Sequence, residues 1–226
     1  MRGVRAVVRG IGELFITAGL VLLLFCAYQL VWTNVEANRE QSQVSKSLSQ
    51  RWSDPQAQAG SQLHLTTADF GKGFAFIHIP RLGKNFTKPI VEGVRKSDLA
   101  RGVGHYPKTA LPGEVGNFAV AGHRATHGEP FRNLNQMRKG DKVVVETKDT
   151  WFTYIVDRTL IVNPSDVWVI DPVPGKKNVA PTQKLLTLTT CNPRWASTQR
   201  LIVFTHLLTQ QPKTAGPPAA LITAAG

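Results

Sequence analysis

The run Leu14–Val31, LFITAGLVLLLFCAYQLV, contains no charged residue, and with the flanking Ile11 and Trp32 it reaches the length needed to cross a bilayer as a helix. A span requires about 20 apolar residues at 1.5 Å each. A cleaved export signal is the alternative, because Arg2, Arg5 and Arg9 precede the run as a basic leader would. Its length exceeds the usual apolar core of such a signal, and Tyr28–Trp32 offers no small-x-small cleavage site. The sequence therefore predicts a retained anchor over 11–33. The arginines predict a cytoplasmic N-terminus over 1–10, with everything beyond about residue 34 outside the cytoplasm.

Charge and cysteine usage fit an exported domain. The 226 residues carry a formal charge of +12; setting aside Arg2, Arg5, Arg9 and Glu13 removes a net +2 and leaves +10. Such a surface is drawn to anionic lipid or cell-wall polymers. Nucleic acid is not expected as a partner, since no basic stripe is interleaved with aromatics. Cys26 lies in the apolar run, so Cys191 is the only thiol outside it and cannot form a disulfide within the exported part. A lone thiol in an oxidising compartment is either buried as a small hydrophobe or used chemically.

Residues 34–70 are polar, with REQSQVSKSLSQRWSDPQAQAGSQ at their centre, and read as a stalk with too little apolar surface to offset its ordering entropy. From 71 to 210 short apolar runs alternate with turn residues, the pattern of an all-β domain. The runs are Phe74–Ile79, Lys88–Val91, Phe118–Ala121, Lys142–Thr147, Trp151–Val162, Leu185–Thr190 and Leu201–Leu207. Short helices are expected near Ser97–Arg101 and over Glu129–Met137, where Pro130 suits a first turn and Phe131, Leu134 and Met137 share a face. The tail 211–226, rich in Pro and Gly, is expected to be disordered.

Three features converge on Cys191. In TLTTC, alternation places Leu186, Leu188 and Thr190 on one side of a strand and Thr187, Thr189 and Cys191 on the other, so a Leu-side core delivers the thiol to the more polar face at the strand end. Arg200 opens the next apolar run. If the two strands pair, about 4.8 Å apart, a guanidinium stands beside the thiol, able to hold a carbonyl or a developing oxyanion; alone it is an ordinary strand-edge arginine. His123 follows the apolar run FAVAG, and an imidazole there can serve as base or acid near neutral pH. His127 completes an H-x-x-x-H, but Gly128 and Pro130 oppose a single helix face and spacing supplies no third ligand, so no metal or other cofactor is expected.

LTLTTCNP followed by RLIV, with GNFAVAGHR and GVGHYPKTALPGEVGN upstream, resembles the sortases, membrane-anchored cysteine transpeptidases of Gram-positive bacteria, over most of residues 71–208. TLTTCNP and GVGHYP are most similar to class E, the housekeeping sortases of actinobacteria. The resemblance implies a mainly β fold, the sortase eight-stranded β-barrel with short helices behind an N-terminal transmembrane helix. It implies a nucleophile at Cys191, a histidine at His123 and an arginine at Arg200. It also implies cleavage of a C-terminal sorting signal of surface proteins between Thr and Gly, followed by transfer to an amine of a peptidoglycan precursor or a pilin lysine. For class E the implied signal is Leu-Ala-x-Thr-Gly rather than Leu-Pro-x-Thr-Gly.

Tyr106 is the candidate substrate contact, its hydroxyl suited to a peptide carbonyl; the other reading is a barrel-capping tyrosine. Thr189 and Thr190 are further substrate-site candidates that support the Cys191 loop, against simple strand packing. Asn163–Asn178 is expected to form part of a groove wall, and it holds no acidic cluster of the calcium-binding kind. WSDPQ at Trp52–Gln56 comes near the lid motif of pilin-building sortases. Two further readings stay open: an exported cysteine peptidase that hydrolyses its thioacyl intermediate, and a membrane-tethered basic module that binds cell-wall anions without catalysis.

Overall fold

Strands of five or six residues with Val, Ile and Phe at alternate positions cannot each bury a face alone, and the chain resolves this by closing them on themselves. The computed structural model describes residues 2–54 and 65–222. Eight strands are formed: β1 Gly73–His78, β2 Thr87–Glu92, β3 Val103–His105, β4 Gly116–Ala121, β5 Lys142–Glu146, β6 Thr150–Val162, β7 Lys184–Asn192 and β8 Gln199–Pro212. They close in the order β1-β2-β3-β4-β7-β8-β6-β5. Closure removes every free sheet edge. The interior is filled by Phe118, Val120, Ile77, Val143, Val145, Leu186, Leu188 and Val203, all fully buried.

Two of the pairings are parallel, β2 with β3 and β4 with β7. Parallel neighbours need crossover connections. The connection from β2 to β3 is α2, Lys96–Arg101, whose first turn is capped by Asp98 accepting from the Arg95 backbone N–H at 3.1 Å. The long chain between β6 and β7 runs over the outside of the barrel. There Val169 packs with Ile202 and Phe204 in a second apolar cluster against which Trp168 and Ile170 rest. Asn117 fastens that connection to the sheet, donating to the carbonyls of Val169 at 3.2 Å and Asp171 at 3.0 Å while accepting from Thr187 Oγ1 at 2.8 Å.

Helix α1 runs without a break from Arg2 to Ser53. Its N-terminal part is a candidate membrane span with a mean hydropathy of 2.3 over its most apolar window, none of which is buried. Residues 34–53, read from sequence as stalk, continue this helix and pack on the barrel. Ala37, Gln41, Val44 and Leu48, spaced by three or four, are buried at 2–5% exposure. This stripe is narrow, and half of what makes it fit lies on the barrel: a Cβ at Gly73 would meet Val44 Cγ1 at 2.6 Å. Trp52 then rests edge-on against Phe76 with ring centroids 5.3 Å apart.

Two other segments differ from expectation. Phe131, Leu134 and Met137 are buried on one face as expected, but the chain there is turns and a 3-10 helix, Leu134–Gln136, not an α-helix. His127, Gly128 and Glu129 have φ of 55°, 74° and 44°, so three successive left-handed residues prevent a helix from starting. The tail read as disordered from 211 continues β8 to Pro212 and then forms a 3-10 turn, Lys213–Ala215, and the short helix α3, Ala219–Ile222; residues 223–226 lie outside those described. The Lys213 ammonium explains the capture, pairing with Glu146 and lying 4.7 Å above the Trp52 ring.

Because Phe118 is fully buried between the inner faces of β1 and β4, Phe118→Ala is expected to lower the unfolding free energy of the full chain by about 3–5 kcal/mol. Urea unfolding in detergent, followed by near-UV circular dichroism, measures that loss.

Candidate functional site

The site grows out of the β4–β7–β8 part of the sheet. Ala121 pairs with Thr189 in the parallel β4–β7 register, and Gly122 continues the ladder by donating to the Thr189 carbonyl at 3.1 Å. Two residues beyond the pair on each strand stand His123 and Cys191. Alternation along β7 puts Cys191 on the face that Thr189 occupies, and His123 leaves β4 just past the last pair of the neighbouring strand. In the antiparallel β7–β8 register Cys191 pairs with Arg200. One row across the ends of three neighbouring strands thus carries histidine, cysteine and arginine.

The residues behind that row keep its strand ends together. Thr190, turned toward the interior with Leu186 and Leu188, donates through Oγ1 to the Gly122 carbonyl at 2.7 Å. Thr189 faces outward and donates to the Val120 carbonyl at 3.3 Å. The Tyr106 hydroxyl lies 3.2 Å from Thr189 Oγ1. Tyr106 and Thr189 are therefore brought together one alternation step from Cys191. Thr190 braces the same strands from the other side. The β6–β7 connection packs Trp168 and Ile170 against Ile202 and Phe204 of β8 and is tied to β4 through Asn117.

Cys191 is a free, half-buried thiol. His123 is half-buried with its ring stacked on His127, centroids 4.6 Å apart, and its Nε2 is buried with no hydrogen-bond partner among the described residues. Burial, reinforced by the charge of His127, pushes the His123 imidazole down to about 4. It is therefore neutral at pH 7. Arg200 donates through one nitrogen to the carbonyls of Ser197 at 2.9 Å and Gln199 at 2.8 Å, which folds it over its own loop beside the thiol.

Arg124 had not been singled out as a candidate from the sequence, although it adjoins His123. It is 8% exposed and donates to the Cys191 carbonyl at 3.2 Å and to Asn192 Oδ1 at 2.7 Å, tying the end of β4 to the end of β7. Burial and the like charge of Arg194 push its guanidinium below its ordinary value, opposed by the negative form of Cys191. Only an arginine's reach across two strands makes this contact, and linear spacing carries no sign of it. Among the described residues no group of three or more His, Cys, Asp or Glu is placed to hold a metal ion. Trp52, considered from sequence as part of a lid, lies on β1, across the barrel from β7; Pro55 and Gln56 of that motif lie outside the described residues.

A closed barrel that presents a cysteine between a histidine and an arginine at the end of two parallel strands is the frame of a cysteine transpeptidase. The chain belongs to the sortase family: the Sortase domain family model matches residues 77–208. It is 43% identical over 223 residues to Sortase SrtE1 of Streptomyces coelicolor, an alignment covering 95% of this chain and 61% of that protein. The structure of sortase E from Streptomyces avermitilis matches with a TM-score of 0.62 at 49% identity, over 67% of this chain and 98% of that one. Sortase E1 of Streptomyces coelicolor, solved with a tripeptide in its active site, matches with a TM-score of 0.62 at 43% identity, over 67% and 97%. Within the family the similarity is to class E.

The depressed His123 titration has a consequence for folding. Between about pH 6.5 and about 4 the unfolded imidazole takes up a proton that the folded one refuses, so the unfolded state binds more protons and stability rises with pH. Stability is thus expected to fall as pH drops through that window, and His123→Gln is expected to flatten the dependence. Urea midpoints of the two proteins at pH 7.5 and pH 5 provide the comparison.

Proposed function

We propose that the protein is a membrane-anchored sortase transpeptidase that cleaves a Leu-Ala-x-Thr-Gly or Leu-Pro-x-Thr-Gly sorting signal between Thr and Gly and joins the Thr carboxyl to an amine of a peptidoglycan precursor, anchoring surface proteins to the cell wall. The observation that carries this reading is the pairing of Cys191 with Arg200 across β7 and β8, with His123 two residues past the end of the parallel neighbour β4. Similarity to class E supports Leu-Ala-x-Thr-Gly as the preferred signal. Residues 1–10 lie in the cytoplasm, 11–33 span the membrane, and the catalytic domain 71–210 stands outside it, a topology supported by the basic residues ahead of the apolar run.

In the first half-reaction the Cys191 thiolate attacks the Thr carbonyl carbon, and the electron pair of the C=O bond moves to oxygen. Arg200 is placed to donate to that oxyanion through its remaining N–H groups. Collapse reforms the carbonyl, breaks the C–N bond and leaves a thioester, while His123 imidazolium gives its proton to the departing glycine nitrogen. In the second half the amine attacks the thioester, its proton passes to His123, and the thiolate departs. The Tyr106 hydroxyl, paired with Thr189, is the polar contact offered to the backbone of an extended peptide. Arg124 and Thr190 act as positioning residues.

The state that does this work holds thiolate and imidazolium together. Burial holds the His123 imidazole down at about 4, which disfavours this pair at neutral pH in the free protein. A peptide carboxylate or carbonyl that accepts from the imidazolium, or a movement that separates His123 from His127, favours the pair.

Full-length protein in detergent, incubated with a Leu-Ala-x-Thr-Gly peptide and an amine, is expected to give the peptide cut after Thr and joined to the amine. Cys191→Ala is expected to abolish the product, and Arg200→Ala to lower kcat/KM by about 10²–10³-fold. Mass spectrometry of the products decides it. Cleavage that the amine never diverts would indicate a peptidase, and no cleavage of either signal would remove the sorting reading.

A further inference from the structure

Helix α1 does more than tether the barrel. Its first turn beyond the apolar run grips the loop that leaves His123. Asn34 Oδ1 accepts from the Gly128 backbone N–H at 3.0 Å, and Asn34 Nδ2 donates to Glu129 Oε1 at 3.3 Å. Two turns on, Gln41 is 3% exposed and fully engaged: its amide nitrogen donates to the carbonyls of His127 at 3.2 Å and Ala100 at 3.4 Å, and its oxygen accepts from Lys88 Nζ at 3.1 Å. The loop is shaped for this grip, since Gly128 has φ 74° and a Cβ there would lie 2.6 Å from Gln41 Nε2 and 3.0 Å from Asn38 Oδ1.

The same contacts reach both sides of the thiol. His127, whose carbonyl Gln41 holds, carries the ring stacked on His123. Glu129, held by Asn34 on one oxygen, accepts on the other from Arg194 at 2.8 Å, in the β7–β8 loop three residues past Cys191. Neither Asn34 nor Gln41 touches the reacting atoms. Trp32, at the end of the apolar run, is only two residues and about 3 Å of helix rise from Asn34.

We propose that Asn34 and Gln41 are positioning residues of the transpeptidase, through which the membrane helix holds the His127–Glu129 loop, and with it His123 and the Cys191 loop, in the working arrangement. This rests on the transpeptidase reading above. A chain freed of its helix would keep the barrel, whose core α1 does not enter, but lose the loop's anchor.

The test uses the full chain in detergent or lipid nanodiscs. In Asn34→Ala the Gly128 amide is expected to exchange with deuterium about tenfold faster, the size of effect that losing one such hydrogen bond brings. kcat for peptide transfer is expected to fall by a similar factor, with KM for the peptide within about twofold, because the peptide contact assigned to Tyr106 and Thr189 is untouched. Asn34→Asp keeps the acceptor for Gly128 but sets a carboxylate against Glu129, so it is combined with Glu129→Gln, whose amide can donate to it; the double variant is expected to restore slow exchange, with kcat recovering in step. Gly128→Ala disturbs the grip from the loop side and is expected to lower kcat with α1 itself unaltered. Unchanged Gly128 exchange in Asn34→Ala, or faster exchange with unchanged kcat, overturns the proposal. If wild-type protein yields no product, the transpeptidase reading falls, and the exchange comparison alone decides whether Asn34 holds the loop.

Discussion

The parallel pairing of β4 with β7 is the constraint from which the site follows. From Gly116–Lys184 to Ala121–Thr189 the two strands run in step, and both end at the same rim of the barrel. Whatever leaves the two strands at that rim is adjacent, however far apart in sequence: His123 and Cys191 are 68 positions apart and occupy equivalent places. The antiparallel β7–β8 pairing then adds Arg200 from the opposite side. A slip of one residue in either register would turn one member of the row into the core and leave the other two without it.

Holding that register buries polar groups, and those between the strands are paired with one another or with backbone carbonyls. Asn117 and Thr187, both fully buried, satisfy each other while Asn117 also fixes the outer connection. Thr190 and Arg124 bridge the strand ends just before the chemistry. His123 Nε2 is the contrast, a buried nitrogen with no partner among the described residues. An unpaired polar atom of this kind destabilises the free protein and is available to a group that arrives from outside. The depressed titration of His123 and its unpartnered nitrogen are two expressions of one desolvated position.

Much of this was legible before any coordinates. The alternation in TLTTC fixed which face Cys191 shares, and the Val- and Ile-rich runs marked the strands that carry the site. The three-residue β3, Val103–His105, was not legible, because a strand so short, with a glycine before it and another at its centre, has no period to read. The i, i+3, i+6 spacing of Phe131, Leu134 and Met137 was real but belongs equally to a 3-10 turn, and the left-handed backbone at 127–129 decided between them. Part of 34–70 reads as helical near the membrane, but its packing on the barrel was hidden because its buried stripe is only Ala37, Gln41, Val44 and Leu48. Its complement, Gly73 and Gly128, lies on the barrel, and no local window contains both halves. Arg124 was hidden for the same reason, since its partners are 67 and 68 residues away.

The central claim is that the strand register makes Cys191 an acyl-accepting nucleophile. Its most direct test is the mass of the intact full-length protein after exposure to a sorting-signal peptide with no amine present, followed by peptide mapping. The account predicts a mass gain equal to the peptide up to its Thr, carried as a thioester on Cys191 and released by hydroxylamine. An unmodified protein, or an acyl group on any other residue, would contradict it.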